Sequence, residues 1–208
     1  MSEQEHSRLA APLPVSRQAR RHQIMTEARR IFAEQGYHRA TMEEIAEACF
    51  VSKPVLYQHF SGKSTLYQAV VDEDLQRLGE AMRVPLPDVR EIPPVVEAFV
   101  DRFTRAIVNH PVSYRLIFDA DRPQGSDLER RLEGLLDDAA QEIAQRLAQR
   151  GRLTWAEGLF LGRLLLRTAM DAAPLIMAEP DAEHKRRFQQ LAYTLAAAGL
   201  NQVEASAH

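Results

Sequence analysis

Apolar residues recur at helical spacing along most of this chain. Near the amino end the first stripe occupies positions i, i+4, i+7 and i+8 of one helix face, at Ile24, Ala28, Ile31 and Phe32. Gly36 follows that stripe, and glycine is favoured just beyond the C-terminus of a helix. Similar stripes fill the rest of the chain, and no segment shows the alternation of a strand. The pattern therefore predicts an all-α protein.

Prolines divide the predicted helices into two groups, since proline lacks the amide N–H that a helix interior requires. Four of them fall close together, at Pro85, Pro87, Pro93 and Pro94. Before this break, a fourth helix is predicted from a cap at Ser61 to about Met82. Beyond it, apolar stripes predict helices at residues 96–107, 114–118, 128–147, 154–178 and 181–202, the third of them capped by Ser126 and closed by Gly151.

Residues 41–67, TMEEIAEACFVSKPVLYQHFSGKSTLY, are predicted to form two short helices joined by a tight turn, followed by the start of a third helix. Thr41 and Glu44 form a T-x-x-E capping box, which begins the first of them. Ser52 suits the N-cap of the second, and Pro54 is tolerated in its first turn. Two helices joined in this way form a helix-turn-helix unit.

The second short helix has few residues to bury. Its inward anchors are Val51, Leu56 and Phe60, so its other side chains face away from the core. These outward residues include basic, aromatic and amide groups, and they are Lys53, Pro54, Val55, Tyr57, Gln58 and His59. Because the second helix of a helix-turn-helix enters the major groove, this face is suited to reading double-stranded DNA.

The same segment resembles the N-terminal region of the tetracycline-repressor (TetR) family. The resemblance covers residues 20–70 and is carried by Ile45, Ala46, Val51, Ser52, Lys53, Leu56, Tyr57, His59, Phe60, Lys63, Leu66 and Tyr67. It implies an N-terminal three-helix domain with a helix-turn-helix, followed by a C-terminal helical domain for ligand binding and dimerisation. The boundaries predicted on this basis are a flexible arm at 1–16, the DNA-binding domain at 17–67 and the body at 68–208.

The resemblance also implies a function: a cytoplasmic, ligand-released repressor that binds palindromic operator DNA as a homodimer. It implies that Lys53, Val55, Tyr57 and His59, with Pro54 and Gln58, meet the major groove or its flanking phosphates. It implies that Arg39, Thr41, Tyr57 and Lys63 anchor the DNA backbone. Backbone contacts of this kind set register, whereas base contacts carry sequence information. The effector would favour a dimer whose reading heads are wrongly spaced for the operator.

Phe50 departs from the family pattern, which has glycine in this turn. A glycine indicates a backbone at positive φ, where an ordinary side chain costs about 1–2 kcal/mol. Either the turn has a different geometry in this chain, or Phe50 is strained and its ring is buried in compensation.

The net charge of −3 does not by itself favour a nucleic-acid partner. Its distribution does, because residues 17–66 carry eight Lys and Arg against five Asp and Glu, whereas residues 67–208 carry 17 against 22. A basic head on an acidic body is expected when one domain contacts phosphates. Within the head, Arg17, Arg20 and Arg21 either follow the minor groove or grip phosphates, or they form a solvated helix face.

Cys49 is the single cysteine, which permits no intrachain disulfide and agrees with a reducing cytoplasm. It lies on an apolar helix face and is expected only to pack. No stretch has the length and apolarity of a membrane span, and the first residues lack a secretory pattern, so we expect no membrane partner. We also predict no metal and no cofactor.

Two alternatives to a DNA-binding regulator stay open. Gly62, Lys63 and Ser64 resemble the end of a P-loop, which would make the chain a nucleotide-binding enzyme, but Tyr57 stands where that motif needs a glycine after a strand. The other alternative is a helical protein-interaction module. No H-E-x-x-H or G-x-S-x-G sequence indicates another enzyme class, so we predict that the chain is not an enzyme.

The last two predicted helices either form a homodimer as a four-helix bundle or complete the core of the monomer. The resemblance favours the dimer. Gly158 and Gly162 lie four residues apart and leave room for another helix to approach closely. Pro174 is expected to kink the longer of the two helices, because it removes a backbone donor.

Large apolar and basic side chains on several helices of the body supply the materials of an effector cavity. The predicted ligand-binding residues are Phe99, Phe103, Tyr114, Phe118, Trp155, Arg163, Arg167 and Met170. Each aromatic residue also suits a core position. Arg163 and Arg167 either grip a carboxylate or phosphate of an acyl ligand, point to water, or pair with Asp171, four residues beyond Arg167, and we prefer the pairing. The stretch SKPVLYQHF resembles a branch of the family linked to fatty-acid metabolism, so the effector is predicted to be hydrophobic or of the acyl-CoA type.

Overall fold

The computed structural model of this chain describes residues 16–83, 87, 92–118, 127–149 and 153–206. Over these residues the chain forms nine helices and no strand. They are α1 (Arg17–Gln35), α2 (Met42–Ala48), α3 (Lys53–His59), α4 (Lys63–Met82), α5 (Ile92–Val108), α6 (Pro111–Phe118), α7 (Leu128–Ala148), α8 (Trp155–Ala178) and α9 (Ala182–Ser206). The prediction of an all-α fold is confirmed. The predicted arm at 1–16, except Ser16, lies outside the described residues, as do Ser126 and Gly151.

The N-terminal helices end where local sequence directs them to end. The Ser16 hydroxyl accepts a hydrogen bond from the Ala19 N–H at 3.1 Å, and Gly36, at φ 84°, donates its N–H to the Phe32 carbonyl. The predicted cap at Ser61 is wrong. Gly62 holds the N-cap position of α4, and its N–H donates to the Thr65 hydroxyl at 3.1 Å.

One hydrophobic core runs from the helix-turn-helix into the body. In the head it contains Ile24, Ile45 and Leu56, each without exposed surface. Cys49 is buried among them, and burial raises the pKa of its thiol to about 11. The thiol therefore stays protonated at neutral pH, and the prediction that Cys49 only packs agrees with its position.

Helices α7 and α8 pack closely against each other. Gly158 lies against the backbone of Ala144, and Gly162 lies against the backbone of Ala140. The two glycines therefore allow α7 of the same chain to approach α8, which is the close contact that their spacing predicted. Helix α8 continues through Pro174, whose side chain is exposed.

Helices α8 and α9 pack on α5 and on each other, yet both leave large apolar side chains exposed. These side chains are Phe160, Leu164, Leu175, Phe188, Leu191 and Leu195. Within the part of the chain that the structure describes, no helix has the length and apolarity needed to cross a membrane.

Candidate nucleic-acid interface and effector cavity

The capping box predicted at Thr41 and Glu44 is formed. The Thr41 hydroxyl accepts the Glu44 N–H at 3.2 Å, and the Glu44 carboxylate accepts the Thr41 N–H at 3.0 Å. These bonds satisfy the donors at the start of α2 and fix its direction. Arg39, just before it, is exposed and donates from Nε to the Gln35 carbonyl at 2.7 Å.

The turn between α2 and α3 is held by backbone hydrogen bonds. The N–H of Phe50 donates to the Glu47 carbonyl, and the N–H of Val51 donates to the Ala46 carbonyl, both at 3.0 Å. Phe50 has φ 53°, so the turn keeps the left-handed geometry that glycine usually provides. Of the two alternatives left open for this turn, a different geometry is therefore wrong, and burial of the ring in compensation is wrong as well, because Phe50 is 93% exposed.

Helix α3 is anchored on one side and open on the other. Leu56 and Phe60 are buried, and Val51 is partly buried beside them. The outward side chains divide into the exposed Lys53, Pro54, Tyr57 and Gln58 and the half-buried Val55 and His59. The structure thus places the predicted reading residues on one short helix whose other face is fixed in the core.

Lys53 forms an ion pair across the helix-turn-helix. Its Nζ lies 2.6 Å from Oε1 of Glu43, at the start of α2. The hydrogen bond to Glu43 raises the pKa of Lys53, and the same bond lowers the pKa of Glu43. Both side chains are exposed, so a phosphate or a base can compete with Glu43 for the ammonium group.

Lys63 is half-buried and tied to the loop between α1 and α2. Its Nζ donates to the carbonyl of His38 at 3.1 Å and to that of Ala40 at 3.0 Å, and it lies 4.6 Å from the centre of the Tyr37 ring. An ammonium group has three donors, so one N–H is left over for a phosphate. A P-loop needs a strand before it. Lys63 instead starts α4, which follows α3, and residues 16–62 contain no strand.

A basic cluster lies beside the exposed face of α3, at the C-terminal end of this helix. The Arg21 guanidinium donates to the His59 carbonyl at 3.2 Å and lies 4.2 Å from the centre of the Phe60 ring. Burial lowers the pKa of His59, and the positive charges of Arg17, Arg21 and Arg20 lower it further. The three arginines of α1 therefore lie close enough to α3 to contribute to one positive surface.

The body contains a cavity of about 390 Å³ among α4, α5 and α6. Tyr114 and Phe118 stack at its wall with ring centres 4.7 Å apart. Charged side chains also line it: Asp74, Arg77, Asp101, Arg102 and Arg105, together with His110. The sequence prediction missed these charged residues. Arg102 follows Phe99 by three residues and so lies on the apolar stripe of α5. A basic residue on an apolar stripe predicts a buried cation, and this signal could have identified Arg102.

Buried ion pairs connect the cavity with the DNA-binding head. Nε of Arg29, on α1, lies 2.9 Å from Oδ1 of Asp74, and Arg77 Nη1 lies 3.0 Å from the same oxygen. Ser113, on α6, lies close to Asp74 and lowers the pKa of its carboxyl group. Burial raises the pKa of Asp74 while its cationic partners lower it, and the net direction is upward. Asp74, Arg77 and Ser113 line the cavity, so its wall is continuous with a contact to α1.

The structure does not bring the predicted ligand-binding residues together. Tyr114 and Phe118 line the cavity, whereas Phe99 and Phe103 are fully buried core residues that do not. Trp155 is half exposed at the start of α8 and lines neither the cavity nor the groove described next.

The remaining three residues, Arg163, Arg167 and Met170, line a separate open groove between α7 and α8. Arg163 pairs with Asp137 of α7 at 2.6 Å. The preferred pairing of Arg167 with Asp171 is not formed among the described residues, and both side chains are exposed. Among all the residues that the structure describes, no group of three or more His, Cys, Asp or Glu side chains could hold a metal ion.

Comparison with known proteins identifies the family. The family model described as bacterial regulatory proteins, tetR family, matches residues 24–70, from α1 into α4. Over 142 residues the chain is 33% identical to the HTH-type transcriptional repressor AcnR of Corynebacterium diphtheriae, and the alignment covers 64% of this chain and 68% of AcnR. This chain belongs to the TetR family.

Another relative of this TetR-family chain is the HTH-type transcriptional activator FasR of Mycolicibacterium smegmatis. The two are 41% identical over 105 residues, which are 50% of this chain and 48% of FasR. The chain therefore spans about half the length of that relative in the alignment. The names of the relatives include both a repressor and an activator.

Solved structures share the TetR-family fold. A TetR-like transcriptional regulator from a Rhodococcus species matches with a TM-score of 0.69 at 19% identity, over 89% of this chain and 98% of that one. GusR of Salmonella enterica matches with a TM-score of 0.62 at 24% identity, over 92% and 98%. These likenesses establish the fold. At the level of the family, the predictions of a DNA-binding transcriptional regulator and of no enzyme are confirmed.

Proposed function

We propose that this protein is a ligand-released repressor that binds palindromic operator DNA as a homodimer. The exposed face of α3 carries the proposal. Its basic, aromatic and amide side chains point outward while Leu56 and Phe60 fix the helix from behind. A helix anchored in this way can enter the major groove without rearranging its own core.

The contacts divide into base readers and backbone anchors. Lys53, Val55, Tyr57 and His59 face the bases or the phosphates beside them, with Pro54 and Gln58 completing the surface. Arg39, Thr41, Tyr57 and Lys63 hold the backbone, and Arg17, Arg20 and Arg21 add positive charge at the other end of α3. Anchors of this kind give affinity that is similar for many sequences and that falls steeply with salt.

The dimer forms through α8 and α9. Both helices expose large apolar side chains, among them Phe160, Leu191 and Leu195, and clustered exposed apolar groups are typical of an interaction site. A two-fold axis through this surface would present two α3 helices to two half-sites, so the operator would be palindromic.

The effector occupies the cavity among α4, α5 and α6. A volume of about 390 Å³ lies within the usual range for ligand sites. The stacked rings of Tyr114 and Phe118 suit an apolar chain. Arg102 pairs with Glu142 at 2.8 Å and Arg105 pairs with Asp101, so an anionic end of the ligand would compete with these carboxylates for the guanidinium groups. A hydrophobic or acyl-type ligand, such as the acyl part of an acyl-CoA, combines these two features.

Release would pass through the ion pairs that join the cavity wall to α1. A ligand that moves Asp74 or Ser113 changes the contact with Arg29 and so the angle of the head. Such a ligand favours the non-binding arrangement by its difference in affinity for the two states. Because the operator is chromosomal DNA, the protein would act in the cytoplasm.

The test is selection of duplexes from a random pool by the purified full chain, followed by gel shift at several salt concentrations. We expect a palindromic duplex whose binding weakens steeply with salt, and weaker binding by Tyr57→Ala with an unchanged urea-unfolding midpoint. Mass spectrometry of compounds retained through purification would identify the effector, which should release the duplex when added back.

A protein that is monomeric and binds no duplex at low salt would contradict the proposal and leave the protein-interaction module as the better account. Binding that the effector strengthens would contradict the repressor assignment alone, and would agree with the activator named among the relatives.

A further inference from the structure

Phe50 combines a strained backbone with an exposed ring. Its φ of 53° lies in the left-handed region that ordinary side chains avoid, and 93% of its surface is exposed. Burial of the ring therefore does not offset the strain. Strained residues that persist in this way are concentrated at functional sites.

The surrounding turn holds Phe50 in one place. Its own N–H donates to the Glu47 carbonyl, and the Cys49 carbonyl accepts a hydrogen bond from Nε2 of Gln23 at 3.1 Å. On the other side, Val51 donates to the Ala46 carbonyl. The ring is thus presented to solvent from a backbone that is fixed on both sides.

Phe50 lies next to the helix that the proposed function places in the major groove. Three peptide units separate it from Lys53, so the two Cα atoms lie within about 11 Å of each other. The N-terminal residues of a recognition helix contact base edges, and Phe50 precedes the first of them by three residues. Two apolar surfaces are available there: the methyl group of thymine and the carbons of deoxyribose.

We propose that the Phe50 ring contacts DNA, packing against an apolar surface at the edge of the major groove beside the bases that α3 meets. This inference rests on the proposed function, since it requires α3 in that groove. Lys53 supplies the positive charge at the start of α3 once a phosphate or a base displaces Glu43, and the Phe50 ring adds an apolar contact beside it. Continuity with the reading face favours DNA over a protein partner as the occupant.

The experiment uses the full chain and the duplex selected by the wild-type protein. Phe50→Gly removes the ring and suits positive φ, so we expect a higher urea-unfolding midpoint together with binding weaker by roughly tenfold, as for loss of one buried aromatic contact. Phe50→Asn is the matched control for backbone freedom, because asparagine tolerates the left-handed region and also lacks the ring. It should lose as much affinity as Phe50→Gly, whereas Phe50→Leu should lose less.

Replacing single thymines by deoxyuridine distinguishes the two apolar surfaces, because it removes only the methyl group. If thymine is contacted, one replacement weakens wild-type binding and has no effect on Phe50→Gly. If deoxyribose is contacted, no replacement has this effect but the variant still binds less tightly.

Wild-type affinity in both Phe50→Gly and Phe50→Asn would overturn the contact and leave the proposed function standing. Normal binding by Phe50→Asn with weak binding by Phe50→Gly would also overturn it, since backbone freedom would then be the cause. Failure of the wild-type protein to bind any duplex would overturn the proposed function, and this contact with it.

Discussion

Arg29 and Asp74 join the head to the body through a buried ion pair, with Nε of the arginine 2.9 Å from Oδ1 of the aspartate. Arg29 belongs to α1, which packs against α2 of the helix-turn-helix, and Asp74 belongs to α4 and lines the cavity. Glu73 and Arg77 complete the network, Glu73 at 2.9 Å from Arg29 and in direct contact with Arg77. Charged residues of α1 and of the cavity wall on α4 therefore belong to one network of ion pairs.

Removing one member of this pair should destabilise the fold. Arg29→Met or Asp74→Leu leaves a buried charge with fewer partners, and we expect a loss of about 2–4 kcal/mol in the free energy of unfolding by urea. The double variant should lose less than the sum of the two, because no uncompensated charge is left from this pair. Arg30→Met is the control, since Arg30 pairs with Glu34 on an exposed face. Equal effects of Arg29→Met and Arg30→Met would argue against the buried pair.

The close contact of α7 and α8 depends on Gly162. A methyl group there would lie 2.6 Å from the carbonyl oxygen of Ala140, so Gly162→Ala should push the helices apart and cost about 1–3 kcal/mol in unfolding free energy. The matched control is Gly134→Ala in α7, where a methyl group would meet nothing within 4 Å. That change should stabilise by about 0.5–1 kcal/mol, because alanine is the better helix former. Stabilisation by both changes would contradict this packing.

Lys63 should affect both stability and DNA binding. Lys63→Met removes hydrogen bonds to the carbonyls of His38 and Ala40, and we expect a loss of about 1 kcal/mol in unfolding free energy. It also removes one phosphate anchor, so the slope of log affinity against log salt should become shallower by about one. Tyr57→Ala should leave stability unchanged, since its side chain is exposed. An unchanged salt slope for Lys63→Met would limit this lysine to a structural role.

His59 should make DNA binding depend on pH. In the free protein its pKa is lowered by burial and by Arg17, Arg21 and Arg20, whereas nearby phosphates favour the charged ring. Binding therefore takes up a proton, and affinity should rise as pH falls through the pKa of the complex and level off below that of the free protein. The stability of the free protein depends on pH in the opposite direction. Because folding lowers the pKa of His59, the free energy of unfolding falls as the pH falls.

Fluorescence anisotropy of labelled duplex across this pH range checks the effect, and His59→Gln should abolish most of it. Arg17→Gln should shift the affinity profile toward higher pH, because one repelling charge is removed. A profile that is the same in His59→Gln and the wild-type protein would assign the titration to another histidine.

Charge on the exposed face of α9 should separate the proposed dimer. Leu195 is 71% exposed, and Leu195→Glu places a carboxylate where apolar surface would be buried in the dimer. We expect a monomer by sedimentation velocity and much weaker binding to a palindromic duplex, with the helical content unchanged. Gln190→Glu adds the same charge at another exposed position of α9 and serves as the control. A dimer that survives Leu195→Glu would place the interface elsewhere.

Sequence predicted best what short-range interactions decide. The capping box at Thr41 and Glu44, the glycine at the end of α1 and the anchors Leu56 and Phe60 all act within a few residues, so the helix-turn-helix could be predicted with its outward face. Family resemblance supplied the DNA-binding role that these local features only suggest.

Contacts between residues far apart in the chain could not be predicted from the sequence. Lys63 binds carbonyls more than twenty residues earlier in the chain, and no local pattern contains that contact. The sequence left two alternatives for Phe50, a different turn geometry or a strained residue with a buried ring. Neither is found, because burial of the ring depends on what the rest of the fold brings near. The cavity was predicted from large aromatic residues, but Phe99 and Phe103 are core, and charged residues of α4 and α5 form much of the wall.

Alkylation of Cys49 can measure how often the helices of the DNA-binding domain separate. A thiol with no exposed surface and a pKa of about 11 does not react with alkylating reagents until the helices around it separate. Because the chain has no other cysteine, the rate of its modification counts those separations and nothing else. The ratio of the modification rates of Cys49 without and with duplex would measure how much bound DNA stabilises the domain against local opening.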